Sequence, residues 1–196
     1  MIKFRPLAPF ACLGVALAQL VVAPCLATAA TPAASVASGA IVIPMNLVNA
    51  DGKTAPAGTI TATNTGYGLI LKPALTGLPP GLHGFHIHEK PSCDPGEKDG
   101  QKAAALMAGG HYDPASTGRH EGPYGTGHLG DLPPIYIDAE GKSELPILAP
   151  RLKIADLHGH SLMLHAGGDN CSDHPAPLGG GGARMACGIV PAPEKP

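Results

Sequence analysis

Short runs in which apolar and polar residues alternate, or in which β-branched residues gather, recur along the chain between segments rich in glycine and proline. Ile41 to Val48, Gly58 to Thr65, Tyr67 to Ala74 and Leu82 to Glu89 are four such runs. Turn sequences such as Ala50-Asp51-Gly52-Lys53 and Leu78-Pro79-Pro80-Gly81 part them. Successive side chains of a strand point to opposite faces, so the pattern predicts strands that bury one face. Between Lys90 and Gly130 the rhythm fails. A stretch of that length without regular structure is uncommon inside a compact domain, and something besides strand pairing must order it. Strand signals return at Ile135 to Asp138, Glu144 to Leu148 and Ser161 to His165. Asn170 to Ala183 is a second long loop, rich in glycine at its end, and Met185 to Val190 supplies a closing strand. About eight strands of this kind predict an all-β chain, an antiparallel sandwich or barrel with two long loops.

The first 29 residues follow a different pattern. Lys3 and Arg5 precede an almost wholly apolar stretch from Pro6 to Pro24, and Ala27-Thr28-Ala29 has the small residues that a signal peptidase requires. A transmembrane anchor is the competing reading, but Pro6, Pro9 and Gln19 interrupt the run and no basic stop-transfer cluster follows it. A lipid-modified Cys25 is a second alternative, against which Pro24 stands where such processing prefers a small residue. Residues 1–29 are therefore expected to be a cleaved secretory signal, 30–39 a flexible leader of low complexity, and 40–196 a single domain.

Export changes the meaning of charge and cysteine. Loss of Lys3 and Arg5 leaves 11 basic against 15 acidic residues, 11 − 15 = −4, with no basic stripe. This argues against nucleic acid as a partner, and against a membrane once the signal is removed. Cys12 and Cys25 leave with the signal, so Cys93, Cys171 and Cys187 remain in an oxidising compartment where disulfides persist. An odd number leaves one of them without an intrachain partner.

Candidate chemistry concentrates in histidine. Six of the ten histidines and one aspartate, His86, His88, His111, His120, His128, Asp131 and His165, sit repeatedly beside glycine, proline or a strand-like run. Histidine is the commonest protein metal ligand. His86 and His88 are two apart on a predicted strand, so both rings leave one face and can reach one ion. Taken alone, that pair would also suit a half-buried strand with surface histidines. A closed structural site takes four ligands, so one site would leave three of the seven unexplained. Two four-coordinate sites use all seven if one imidazole is shared.

The stretches His83-Gly84-Phe85-His86-Ile87-His88-Glu89, Gly109-Gly110-His111-Tyr112-Asp113-Pro114, Gly127-His128-Leu129-Gly130-Asp131 and Gly182-Ala183-Arg184-Met185-Ala186-Cys187-Gly188 together resemble bacterial copper,zinc superoxide dismutases. The resemblance spans essentially all of residues 40 to 191, with the motifs in the family's order. It implies an eight-stranded antiparallel Greek-key sandwich or barrel and, with the signal, a periplasmic enzyme that converts superoxide to oxygen and hydrogen peroxide. It assigns copper to His86, His88, His111 and His165, and zinc to His111, His120, His128 and Asp131, with His111 bridging and serving as a proton carrier. It likewise implies a disulfide between Cys93 and Cys187, which leaves Cys171 as a free or intermolecular thiol. Arg184 matches the arginine that orients the substrate anion, with Lys98 and Lys102 as candidates for drawing the anion in.

Asp173 is the candidate acceptor joining a copper histidine to a zinc histidine, with a solvated loop acid as the plainer alternative. The second H-x-H, His158 and His160, lies outside the family's ligand positions, as do His83 and His174, and is expected to be structural. Two other classes of function compete: a periplasmic metal store or carrier without turnover, and an interaction sandwich with eroded sites. The full set of ligand positions and the arginine favour catalysis. Family members occur as monomers and as homodimers, and no motif in the chain decides between them.

Overall fold

The computed structural model describes residues 39–193; the expected signal, and all of the expected leader except Gly39, lie outside the described residues. The described chain is all-β and contains no α-helix. Strands β1 (Ala40–Asn49), β2 (Gly52–Thr65) and β3 (Gly68–Leu75) form an antiparallel meander. The burial of β3 shows why it forms: Leu69, Leu71, Pro73 and Leu75 are buried while Lys72 and Ala74 are exposed, the period of a pleated strand with one dry face. After β4 (Gly81–His83) and β5 (Phe85–His88), a long loop carries a small hairpin, β6 (Gly96–Lys98) and β7 (Gln101–Ala103). The chain then adds β8 (Ile135–Ile137), β9 (Ile147–Ala149), β10 (Ser161–His165) and β11 (Arg184–Ile189).

Seven strands make one curled antiparallel sheet in the order β5-β10-β11-β1-β2-β3-β9, so the last strand lies beside the first in Greek-key fashion. Strands β4 and β8 pair separately. The core gathers Ile43, Ile60, Leu69, Phe85, Ile87, Leu162 and their neighbours, all fully buried. A smaller cluster of Val48, Ala105, Ala108 and Met163 surrounds the disulfide between Cys93 and Cys187, whose Cα atoms are 5.7 Å apart. No helix of the described residues is long and apolar enough to cross a membrane.

Two expectations change in detail. The run from Leu82 to Glu89 is not one strand but two, because the chain turns at Gly84 to pair β4 with β8 and β5 with β10. Gly84 donates to the Gly167 carbonyl and accepts from the His165 amide. The stretch from Lys90 to Gly130 also holds more structure than expected, namely the β6–β7 hairpin and a 3-10 turn at Leu106–Ala108.

Candidate metal centre

Strand β5 is the foundation of the site. It is buried on both faces, with Phe85 and Ile87 in the core and His86 and His88 at 0% and 1% exposure on the other side. A strand with two dry faces needs a cover, and the two loops provide it. The edge of β5 away from β10 templates both of the loop segments that matter. Glu89 donates to Gly110, Tyr112 to Ile87 and Ile87 to Gly130, which sets His111 beside His88 and Asp131 beside His86. Gly130 fits only without a side chain, since a Cβ there would lie 2.4 Å from the Ile87 carbonyl oxygen. His165, at the end of β10, completes the cluster.

All seven expected residues are brought together and buried. Donor atoms of His86, His88, His111 and His165 lie within 4.8 Å of one another, and so do those of His86, His111, His120 and Asp131. His86 and His111, whose rings stack with centroids 3.9 Å apart, both belong to both groups, while His128 stands outside the second group and meets it at Asp131. Asp131 Oδ1 is the meeting point of three rings, 3.0 Å from Nδ1 of His111, 3.0 Å from Nδ1 of His120 and 3.4 Å from Nδ1 of His128.

Which ring nitrogen is left for an ion follows from what the other one bonds. His88 donates from Nδ1 to the Gly109 carbonyl at 2.9 Å and His165 from Nδ1 to Gly182 at 3.2 Å, so each turns Nε2 inward. Those two Nε2 atoms are 3.3 Å apart. His86 and His120 use Nε2 and turn Nδ1 inward. The Nδ1 atoms of His86, His120 and His128 are buried without a hydrogen-bond partner. Three orphaned imidazole nitrogens around one carboxylate carry a high desolvation cost unless a cation meets them. The donor set therefore fits two metal ions, one held by nitrogen alone and one by nitrogen and a carboxylate oxygen.

The carboxylate that ties the two groups together is Asp169, not Asp173. Asp169 reaches His86 Nε2 with Oδ2 and His120 Nε2 with Oδ1, both at 2.8 Å. Asp173 instead accepts from the backbone amides of His120 and Leu178, at 2.9 and 3.1 Å, fastening loop to loop. The reason is position: Asp169 follows His165 by one tight Gly167-Gly168 turn and stays over the rings, whereas Asp173 lies farther into the loop. The sequence Gly167-Gly168-Asp169 directly after a ligand strand was the available signal. Gly179 keeps its place because a Cβ there would lie 2.1 Å from Asp169 Oδ1. The amide of the exposed, free Cys171 also donates to Oδ1 of Asp169.

Burial dominates the protonation of these groups before any metal is added. It lowers His86, and lowers His88 well below its ordinary value with help from the Arg184 cation. His111 falls to about 4 and His165 to about 3, burial again being the main cause. Neutral imidazoles are the form that binds metal. For His120 burial is outweighed by Asp131 and Asp169, which raise it to about 9. Burial likewise opposes ionisation of Asp131 and Asp169, but their histidine hydrogen bonds prevail and hold both carboxyls below the usual range.

Arg184 opens β11 and lines a cavity of about 250 Å³ with His88, His111 and His165. Its guanidinium donates to the carbonyls of Ala105 and Gly109. Lys102 lines the neighbouring cleft with Arg184 and stands 3.8 Å from Asp51, while Lys98 is exposed on β6 and lines neither cavity. Three of the four remaining histidines have their rings engaged elsewhere, and His174 contributes only backbone bonds within its loop. His83 is bracketed by the carbonyls of His165 and Pro79, His158 bonds Pro191, and His160 bonds Glu89 and packs on Tyr112.

Comparison with known proteins agrees with this geometry. The family model for copper/zinc superoxide dismutase (SODC) matches residues 56–190. A Cu-Zn superoxide dismutase of Haemophilus ducreyi is 54% identical over 152 residues, 76% of this chain and 76% of that protein. The Cu/Zn superoxide dismutase of Brucella abortus shares the fold with a TM-score of 0.76 and 49% identity, over 78% of this chain and 99% of that one. The monomeric copper, zinc superoxide dismutase of Salmonella enterica gives a TM-score of 0.71 and 51% identity, over 78% of this chain and 100% of that one. The chain belongs to the copper/zinc superoxide dismutase family, oxidoreductases that use copper and zinc.

Proposed function

We propose that the mature chain, beginning near residue 30, works in the periplasm and converts two superoxide anions and two protons to oxygen and hydrogen peroxide. Copper is held by His86, His88, His111 and His165, and zinc by His111, His120, His128 and Asp131. When bound, copper supplies a one-electron couple that one superoxide reduces and a second reoxidises, and zinc supplies fixed charge and order. Arg184 receives the anion in the cavity beside His88, His111 and His165, presenting a charge that its two carbonyl hydrogen bonds hold in place. His111 turns Nδ1 to Asp131, so Nε2 is the atom that can take up a proton and deliver it to the departing peroxide. Lys102, one cleft away, adds positive charge on the approach, and Lys98 adds it at longer range. The chain acts as a monomer or homodimer, the Salmonella relative being monomeric.

The observation that carries this reading is the pair of buried donor groups, joined through His86 and His111, next to an arginine-lined cavity. Metal content and superoxide decay measured on the purified mature protein test it. One copper and one zinc per chain with rapid decay are expected, and His111→Ala should lose affinity for both metals. A protein that loads both metals without accelerating decay would be a metal store or carrier, and a defect confined to one metal in His111→Ala would remove the bridge.

A further inference from the structure

Arg151 sits in the turn after β9, outside every group of donor atoms described above, and no ion pair of the described residues includes it. Its guanidinium is nonetheless engaged through every nitrogen. Nε donates to the Pro123 carbonyl at 3.0 Å, Nη1 to Gly127 at 3.3 Å, and Nη2 to both Gly122 and His128. Four of the five N–H groups of a rigid planar fork thus meet four carbonyls of one loop segment. That segment, residues 122–128, is rich in glycine and proline, and the carbonyls of Gly122, Pro123 and Gly127 accept from no backbone amide. Four carbonyl dipoles aimed at one point repel one another and would open the loop unless a donor cluster sat at their focus. One of the four belongs to His128 itself, and His120 lies two residues before the first.

We infer that Arg151 is a positioning residue for the zinc site: anchored after β9, it holds residues 122–128 in the shape that turns the Nδ1 atoms of His120 and His128 toward Asp131 before any metal arrives. The inference rests on the assignment of zinc to His111, His120, His128 and Asp131. It separates two sources of order in the loop, because the clamp is built from protein alone and persists without metal. Three of the four copper-group histidines, His86, His88 and His165, stand on β5 and β10, outside the clamped segment. Groups that orient metal ligands from behind typically cost 10- to 100-fold in metal affinity when removed, and a loss on that order is expected for zinc alone. A lysine ammonium lacks the fork and recovers only part of it.

The test compares wild type, Arg151→Gln, Arg151→Lys and His128→Ala as disulfide-intact proteins. Zinc transfer to a chromophoric chelator, copper retention, the visible spectrum of cobalt(II) substituted for zinc, and hydrogen exchange of the metal-free proteins are measured. Arg151→Gln should release zinc on the order of 10- to 100-fold sooner with copper retained, alter the cobalt spectrum, and lose protection at Glu121, Thr126 and His128, whose amides are bonded within the loop. Arg151→Lys should fall between it and wild type. Wild-type zinc release and loop protection in Arg151→Gln would overturn the inference, as would protection lost equally from β1 to β3. If the glutamine variant does not fold, the same two outcomes in Arg151→Lys decide. Zinc held by His128→Ala as firmly as by wild type would instead show that the ligand assignment is at fault.

Discussion

At Gly109 a single carbonyl oxygen accepts both the His88 Nδ1–H and the Arg184 guanidinium, so a ring of the donor cluster and the cation that lines the cavity are fixed to one backbone atom. Asp169 does the same for His86 and His120. Such links were hard to read in the sequence, because an acceptor is defined by where the loop puts it and not by residue type. Asp173 and Asp169 are equally plausible on paper, and only the short turn after His165 favours the latter. That these seven donors gather in one place was legible, since so many donors in so few motifs have little other use, and all seven are buried together. Their burial gives the metal-free protein a distinct pH profile. His111 and His165 are lowered to about 4 and about 3 from an ordinary 6.5, so between those values and 6.5 the unfolded chain binds more protons and stability falls as pH falls. His120 is raised to about 9, so its contribution is complete below 6.5 and is lost as pH rises through 9. The denaturation midpoint of the metal-free protein should therefore peak near neutrality and decline on both sides. A midpoint that climbs steadily from pH 4 to 9 would contradict these protonation states.

Strands as elements were legible wherever burial imposed a period, as in β3, and illegible where long-range bonds decided. The strand-like run from Leu82 to Ile87 continues across Gly84, and only the bonds to Gly167 and His165 divide it. The β6–β7 hairpin was missed for the opposite reason. Its residues, Gly96 to Ala103, are mostly exposed and do not alternate, although Asp99-Gly100, both at positive φ, is a strong turn pair. The long loop that carries this hairpin is fastened by the Cys93–Cys187 disulfide, 94 residues apart in sequence and packed among Val48, Ala105, Ala108 and Met163. Replacing both cysteines by serine removes the crosslink and places two hydroxyls in an apolar cluster. The cost should be on the order of 2 to 5 kcal/mol, typical for a native disulfide of a small secreted domain. The loss should begin locally: the Lys90 and Met107 amides, which bond Ala108 and Asp94, should exchange before those of β1 to β3. An unchanged denaturation midpoint, or exchange that rises uniformly, would mean that strand pairing and metal already hold the loop without the bond.

For the molecule as a whole, the polypeptide carries the same sign of charge as the substrate, since removal of the expected signal leaves a net charge of −4 before metals are counted. Capture must then depend on the local field at the cavity, where Arg184 stands beside His88, His111 and His165 and Lys102 lines the adjoining cleft. A local attraction of this kind is screened by salt, with a Debye length of about 30 Å at 0.01 M and about 10 Å at 0.1 M. If encounter limits the rate, kcat/KM of the wild type should fall as ionic strength rises across that range. Arg184→Ala should lower activity strongly with both metals retained, because no metal-facing group has been touched, and should flatten the salt dependence. Arg184→Lys should restore part of the rate and all of the sign, since charge is kept and the planar fork is lost. Arg184→Glu places a negative charge at the cavity, so its rate should be lowest of all and should rise with salt as the repulsion is screened. That reversal of slope separates an electrostatic role from a structural one, which would lower the rate without changing its response to salt. A wild-type rate that rises with ionic strength, or a glutamate variant that keeps full activity with normal copper, would remove Arg184 from substrate capture.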